Sequence, residues 1–144
     1  MRSFEFEVQG TPKGKGRPRF SKVGGYVKTY TPKATHDYER LVAEAFLSQN
    51  GIIFDHPYLD VYITAYFPIP KSTSKTDRLL LETEYIPYNK KSDCDNIAKI
   101  ILDGLNKIAY LDDRQVVSLK VKKYYGRIPR VEIKIKEVEV NYGT

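Results

Sequence analysis

The sequence predicts an α/β fold of the α+β kind, in which a small mixed β-sheet packs against two main helices. Four segments alternate apolar with polar residues, as half-buried strands do, and two longer segments repeat apolar residues at helical spacing. No internal repeat or domain linker separates these segments within the 144 residues. A chain of this length is expected to form one domain around one core.

The first strand and the first helix come early in the chain. Alternation from Met1 to Gly10 predicts a strand whose apolar residues are Phe4, Phe6 and Val8. Thr31 is expected to be a helix N-cap, with Pro32 in the first helical position. The helix is predicted to continue until Gly51, with an apolar stripe formed by Tyr38, Leu41, Val42, Ala45 and Phe46.

The middle of the chain predicts a second strand and a short helix. The strand covers Leu59 to Phe67, where every second residue is apolar, and Pro68 is expected to end it. Ser72 to Ser74 could then cap a short helix through residues 79–81. Pro87 favours an extended approach to the next element.

A second main helix and two closing strands are predicted for the rest of the chain. The helix runs from about Asp95 to Ile108 and buries Ile97, Ile100, Ile101, Leu105 and Ile108. The first strand, Val116 to Tyr125, places on one face Val117, Leu119 and Val121. The second strand buries Val131, Ile133 and Ile135. Because a short turn separates these strands, they are predicted to pair as a β-hairpin.

The charge of the chain favours a polyanionic partner. Lys and Arg number 24 against 18 Asp and Glu, which gives a net charge of +6 and a pI near 9.3. From Gly10 to His36 there is no acidic residue, and the basic residues there include Lys15, Arg17 and Arg19. Such a segment suits a phosphate backbone, although a flexible, solvated loop is an alternative interpretation.

Cysteine content and hydropathy limit where the protein acts. Cys94 is the only cysteine, so neither an intrachain disulfide nor a Cys-based zinc site is expected, and a reducing cytoplasm fits best. The N-terminal alternation is that of a strand and differs from the continuous apolar core of an export signal. The mean hydropathy of −0.48 argues against a membrane partner.

Two carboxylates and an ammonium group lie where an extended segment is expected to meet the second main helix. Asp93 can share a metal with Asp95 only if it lies before the first helical turn, because residues two apart on a helix point in different directions. Lys99 follows Asp95 by one turn on the same face, which suits phosphate binding near the positive end of the helix dipole. An N-cap aspartate with an ordinary ion pair is the structural alternative.

A second acidic pair, Asp112 and Asp113, precedes the strand at Val116, where Asp-Asp is also a common turn sequence. The intervening helix could return Asp113 to the side of Asp93 and Asp95. Three such oxygen ligands suit Mg²⁺ or Mn²⁺ and do not suit zinc.

Taken together, these motifs resemble those of the RusA family of Holliday junction resolvases. The family carries Asp-x-Asp-Asn-x-x-Lys, then an aspartate within a helix, then Asp-Asp-x-Gln before a strand. The chain matches with Asp93-Cys94-Asp95-Asn96-Ile97-Ala98-Lys99, with Asp103, and with Asp112-Asp113-Arg114-Gln115. The Lys15-Gly16-Arg17-Pro18-Arg19 loop and the Tyr30-Thr31-Pro32 helix start also match, so the resemblance covers most of the domain.

The resemblance implies a metal-dependent endodeoxyribonuclease formed by one RusA-like domain over residues 1–144. Asp93, Asp95 and Asp113 would be the acidic catalytic residues that hold Mg²⁺, with Mn²⁺ as a possible substitute, and Lys99 would be the essential basic residue. A homodimer would make paired nicks in branched DNA, the four-way junction, during recombination and repair. The family is common in prophages and phages.

Further residues are expected to support this site. Asn96, Asp103 and Asp112 are predicted to orient the catalytic groups, with Asp103 four residues after Lys99 on the same helix face. The predicted DNA-binding residues are Lys15, Arg17, Arg19, Lys90 and Lys91. Ser92 departs from the basic residues that the family often has before the first aspartate.

Other functions explain less of the sequence. Glu132 and Lys134 resemble half of another metal-nuclease motif, but the polar face of a strand explains them equally well. His36 and His56 are isolated, which disfavours a histidine-metal nuclease. A noncatalytic basic DNA-binding module or a phage structural protein, in which the acidic residues are caps and turns, is the alternative from another class.

Overall fold

The computed structural model describes residues 1–83 and 85–141. In this part of the chain six strands and three α-helices follow one another as β1 (Ser3–Gln9), β2 (Arg19–Val23), β3 (Tyr26–Tyr30), α1 (Lys33–Ser48), β4 (Leu59–Pro68), α2 (Lys75–Thr83), α3 (Cys94–Leu105), β5 (Val116–Gly126) and β6 (Arg130–Glu137). No helix in it is long and apolar enough to span a membrane.

Four of the strands form the central sheet, in the order β1-β6-β4-β5. The β1/β6 and β6/β4 pairs are antiparallel, whereas β4 and β5 are parallel. A parallel pair needs a long crossover connection, and α2 and α3 lie within the one between β4 and β5. The predicted α+β class with a mixed sheet is confirmed.

The predicted hairpin between the last two strands is wrong, because β4 lies between β5 and β6. The connection from Gly126 to Arg130 passes over the end of β4 and encloses Tyr66. A Cβ atom at Gly126 would lie 2.8 Å from the Tyr66 Cβ, and the Arg130 guanidinium lies 4.0 Å from the centre of the Tyr66 ring. A short turn therefore joins two strands that are not neighbours.

Strand β5 lies at the edge of the sheet, and the apolar residues predicted to share one of its faces are only partly buried. Val117 is 55% exposed and Leu119 is 42% exposed, although Val121 is half-buried. The apolar alternation of β6 is confirmed, since its buried residues are Val131, Ile133 and Ile135. Val117 and Leu119 therefore share a face of β5 without being buried.

Helices α1 and α3 cover one face of the sheet and close the core. Gly104 allows their close approach, because a Cβ atom there would lie 2.9 Å from the Glu39 carbonyl oxygen and 3.1 Å from the Val42 Cβ. The buried residues of α1 include Tyr38, Val42 and Phe46, and those of α3 include Ile97, Ile100, Ile101 and Leu105. These belong to the predicted apolar stripes, but Leu41, which was predicted as part of the α1 stripe, is 42% exposed.

The helix boundaries differ from the predicted ones at three ends, one of which is the end of α1 at Ser48 instead of Gly51. Pro32, and not Thr31, holds the N-cap position of α1, and its extended backbone provides no side-chain cap. Helix α3 ends at Leu105 instead of Ile108, because Lys107 adopts a positive φ of 66° and turns the chain. Ile108 is half-buried outside the helix.

A two-stranded antiparallel hairpin, β2 and β3, occupies the segment expected to be a basic loop. Gly24 and Gly25 form its turn with φ values of +55° and +88°. Two consecutive positive φ angles match the twist of a tight β-hairpin, and glycine adopts them at little cost. The Gly-Gly pair between two β-prone runs was the sequence signal that could have predicted this element.

Candidate active site

The segment before α3 is fixed along the outer edge of β5. The Tyr125 N–H donates to the Ile86 carbonyl at 3.1 Å, and the Tyr88 N–H donates to the Lys123 carbonyl at 3.0 Å. The Tyr88 ring also stacks on Phe67 with ring centres 3.8 Å apart. This extended approach, predicted from Pro87, sets where the chain turns into the helix.

Lys123 stabilises that turn through its side-chain ammonium group. Its ammonium donates to the Ser92 carbonyl at 3.0 Å and is 3.5 Å from the Lys90 carbonyl. Ser92 has a positive φ of 77°, a conformation that is rare for residues other than glycine and therefore requires support. The turn directs the next residue, Asp93, into the N-cap position of α3.

The two aspartates of the first motif have exposed carboxylates that are not used to cap the helix. Asp93 occupies the N-cap position with an extended backbone, yet its side chain accepts no capping hydrogen bond. Asp95 lies in the first turn, where its Oδ1 accepts the N–H of Asn96 at 3.0 Å. Neither carboxylate is in an ion pair with any residue in 1–83 or 85–141. Both are therefore available to a ligand.

Lys99 belongs to a network of two lysines and two acidic residues. Its ammonium lies 3.1 Å from the Asp103 Oδ1, which is the contact expected from the spacing of these residues. Asp103 Oδ2 lies 3.1 Å from the Lys15 ammonium, which also binds Glu39 on α1 at 2.8 Å. The Lys99 side chain remains mostly exposed, so its ammonium is still accessible to a phosphate.

The pKa of Lys15 is raised above its ordinary value by the balance of two effects. Burial disfavours its charged form, but the hydrogen bonds and charges of Glu39 and Asp103 outweigh burial. The side chain of Lys15 thus ties the basic segment to both helices. Arg17, Arg19, Lys90 and Lys91, by contrast, are exposed.

The Asp112-Asp113 turn is held by Gln115, which is buried. The Gln115 Oε1 accepts the N–H groups of Leu111 at 2.8 Å and Asp112 at 3.0 Å. Its Nε2 donates to the carbonyl oxygens of Phe54 at 3.1 Å and His56 at 2.9 Å. All four bonds reach backbone atoms, so one side chain fixes the turn to the segment before β4.

The two aspartates of this turn have different environments. Asp112 caps a short 3-10 helix, Asp113–Gln115, and its Oδ1 accepts the N–H of Arg114 at 2.9 Å. That hydrogen bond lowers the pKa of Asp112. Asp112 therefore caps the turn and leaves Asp113, which is half-buried, beyond the cap.

Tyr110, which precedes the Asp112-Asp113 turn, is hydrogen-bonded to helix α3. Its hydroxyl donates to the Leu102 carbonyl at 2.7 Å. Burial raises the pKa of Tyr110, and the negative charges of Asp113 and Asp103 raise it further. Tyr110 therefore packs beneath α3 and lies within the electrostatic reach of both carboxylates.

The described residues do not assemble the three predicted ligands. Across residues 1–83 and 85–141, no three His, Cys, Asp or Glu side chains form a group that could hold a metal ion. Asp93, Asp95 and Asp113 offer the hard oxygen atoms that Mg²⁺ prefers, but they are not gathered around one point. The three carboxylates therefore have the ligand chemistry that Mg²⁺ requires, but they are not arranged as one metal site in this structure.

A shallow, basic cavity of about 460 Å³ adjoins the start of α3, lined by Lys13, Gly14, Lys15, Lys91, Ser92, Asp93 and Asn96. The Lys15 N–H donates to the Asn96 carbonyl at 2.9 Å, which anchors the basic segment on the helix. A Cβ atom at Gly14 would lie 3.1 Å from the Asn96 Cβ, so glycine permits this close contact. Asn96 thus contributes its backbone carbonyl to the site.

The Glu-x-Lys pair on β6 lies elsewhere. Val131, Ile133 and Ile135 point into the core, so Glu132 and Lys134 lie on the opposite face of the sheet. Glu132 pairs with Arg130 at 3.0 Å and Lys134 lies 3.5 Å from Glu5. The polar face of the sheet explains both residues.

Sequence reasoning assigned no role to Glu39, Lys123, Tyr110 or Gln115. Gln115 is the last residue of the Asp-Asp-x-Gln motif, and the fixed spacing was the signal that could have found it. Glu39 pairs with a lysine 24 residues earlier, and Lys123 supports a turn 31 residues earlier. No local pattern predicts contacts across such separations.

Comparison with known proteins places these motifs in a family. Residues 9–136 match the family described as Endodeoxyribonuclease RusA. Uncharacterized protein YqaN of Bacillus subtilis (strain 168) is 38% identical over 96% of this chain and 99% of its own length. Crossover junction endodeoxyribonuclease rusA of Lactococcus phage r1t is 28% identical over 94% of this chain and 97% of its own. The chain therefore belongs to the RusA family and is a nuclease that acts on DNA.

Proposed function

We propose that the protein is a Mg²⁺-dependent endonuclease that resolves four-way DNA junctions by paired nicks. The observation that carries this proposal is the pair of exposed carboxylates, Asp93 and Asp95, which are free of capping and ion pairing beside a basic cavity. Nucleases of the RusA family are generally dependent on a divalent metal. The junction substrate is supported by the Lactococcus phage r1t relative, which is named as a crossover junction endodeoxyribonuclease.

Asp93, Asp95 and Asp113 are assigned as the metal ligands, with Mn²⁺ as a substitute. When bound, Mg²⁺ would activate water for attack on the phosphodiester and neutralise charge on the reacting phosphate. Lys99, whose ammonium is held by Asp103, donates to a phosphate oxygen as negative charge develops in the transition state. Asp112 and Gln115 hold the turn that presents Asp113.

The DNA backbone is bound by the start of α3 and by the basic groups around it. The unpaired N–H groups and positive dipole end of the helix favour a phosphate. Lys90 and Lys91 precede this helix start, and Arg17 and Arg19 extend from the segment that Lys15 anchors. A homodimer supplies two active sites for nicks in two strands, and recombination and repair in the cytoplasm are the proposed setting.

The proposal is tested by nicking of a labelled synthetic four-way junction and of a linear duplex, each with Mg²⁺, Mn²⁺ or EDTA. Paired nicks near the branch point that require the metal are expected. Sedimentation of the protein with the junction would measure how many chains each junction binds. Binding of the junction without nicking under either metal would instead identify a noncatalytic DNA-binding module.

Replacing Arg17 and Arg19 with alanine is expected to weaken binding to junction and duplex alike. Neither side chain pairs with another residue of the described chain, so the fold should not change. Loss of two phosphate contacts should reduce the slope of log K against log salt by about 2. Fluorescence anisotropy in EDTA at several salt concentrations measures the slope, and an unchanged slope would contradict the predicted contacts.

A further inference from the structure

The β2–β3 hairpin exposes apolar and aromatic side chains that nothing in the described chain covers. Phe20 is 73% exposed and Tyr26 is 79% exposed, and of the ten strand residues only Ser21 is half-buried. Five-residue strands make the hairpin about 17 Å long. A two-stranded ribbon without a covered face has little core of its own, so a bound partner would stabilise it.

Both faces of the hairpin combine aromatic or apolar side chains with basic ones. The pairs Arg19 with Tyr30, Ser21 with Lys28, and Val23 with Tyr26 share one face. The pairs Phe20 with Thr29 and Lys22 with Val27 share the other. A partner that covered one face only would leave either Phe20 or Tyr26 in water.

The segment that leads into the hairpin is fixed beside the active site. The Lys15 N–H bonds to the Asn96 carbonyl on α3, and the Gly16 N–H donates to the Thr35 hydroxyl on α1 at 3.2 Å. A Cβ atom at Gly16 would lie 2.8 Å from that hydroxyl oxygen, so the chain passes close to α1. The hairpin therefore projects from the start of α3, where Asp93 and Asp95 lie.

We propose that this hairpin inserts at the branch point of the DNA junction and stacks on the base pairs that open on its two sides. This inference rests on the junction substrate proposed above. Phe20 on one face and Tyr26 on the other would each contact an exposed base-pair surface. The basic side chains between them, Lys22 and Lys28, would meet the converging phosphates.

Charge and shape together select a branched nucleic acid as the occupant. The segment from Gly10 to His36 carries basic residues and no acidic one, so a polyanion is complementary to it. Linear duplex offers phosphates but keeps its base faces closed by stacking. A branch point interrupts that stacking, so an apolar wedge separates bases there at lower cost than within a duplex.

The experiment uses a four-way junction with 2-aminopurine beside the branch point, in EDTA so that no strand is cut. We expect the wild type to raise 2-aminopurine fluorescence as the base unstacks. The variant with both Phe20→Ala and Tyr26→Ala should lose the rise and bind the junction on the order of tenfold more weakly. Its affinity for linear duplex should stay close to that of the wild type, because no charge has changed.

Two further variants separate stacking from other effects. The variant with Phe20→Tyr and Tyr26→Phe keeps both rings and should retain the fluorescence rise. Ile52→Ala removes an equally exposed apolar side chain outside the hairpin and should change neither signal. Circular dichroism would verify that each variant is folded.

The outcomes distinguish this proposal from the nuclease assignment. Absence of a rise with wild type, or an unchanged rise and junction affinity in the double alanine variant, would overturn the hairpin proposal. A wild type that unstacks the branch point but nicks no DNA with Mg²⁺ or Mn²⁺ would support the hairpin and overturn the proposed function alone.

Discussion

Replacing Asp95 with asparagine is expected to lower the rate of junction nicking at least about a hundredfold while leaving junction binding intact. The carboxylate is exposed and makes one local hydrogen bond, to the N–H of Asn96, so its loss costs little stability. Removal of a negative charge beside a phosphate should, if anything, tighten DNA binding. Single-turnover nicking in Mg²⁺ and anisotropy in EDTA measure the two effects separately.

Asp77→Asn is the matched control, since Asp77 is an exposed aspartate on α2 outside the site and should nick at the wild-type rate. Binding of Mn²⁺, followed by its electron paramagnetic resonance signal, gives a reading that does not depend on activity, and Asp95→Asn should weaken it. An Asp95→Asn protein that nicks as fast as the control would remove Asp95 from the catalytic residues.

Replacing Gln115 with leucine is expected to destabilise the fold by about 3 kcal/mol and to lower nicking in the molecules that remain folded. Leucine leaves two backbone N–H groups and two carbonyls without the partners they now have, and each unpaired buried group costs about 1–3 kcal/mol unless water reaches it. The turn that presents Asp113 would loosen as well. Urea denaturation measures the stability, and nicking is measured well below the unfolding transition.

Arg114→Ala is the control for this turn, because Arg114 is exposed and contributes its backbone N–H, which alanine retains. It should leave the urea midpoint unchanged. If Gln115→Leu unfolded at the same urea concentration as the wild type, the four hydrogen bonds of Gln115 would not stabilise the fold.

The sequence predicted the elements whose side-chain period is strong. Strands β1, β4 and β6 match their apolar patterns, and helices α1 and α3 match theirs except at Leu41 and Ile108, because each element buries one face against the same core. Strand order is not contained in that period, which is why β4 was not placed between β5 and β6. Val117 and Leu119 show the limit most clearly, since an edge strand can carry an apolar alternation without burying it.

The site was predictable where its residues are close in the chain. The spacing of Asp93, Asp95 and Lys99 identified the start of α3, and the contact between Lys99 and Asp103 follows from helical geometry. Lys15 was predicted as a DNA contact, yet its ammonium pairs with Glu39 and Asp103. Such contacts depend on how the two helices pack, and the spacing of residues within one segment does not predict that packing.

Asp103 is a shared counterion, and this links two parts of the molecule thermodynamically. One of its oxygens binds Lys15 and the other binds Lys99, each at 3.1 Å. Whatever displaces Lys15 leaves Asp103 to Lys99 alone, and whatever draws Lys99 to a phosphate strengthens the hold on Lys15. The coupling is reciprocal. Displacing Lys15 changes the free energy of moving Lys99 by the same amount as moving Lys99 changes the free energy of displacing Lys15. The ammonium group of Lys15, in the segment that leads to the hairpin, and that of Lys99, assigned to catalysis, therefore compete for one negative charge.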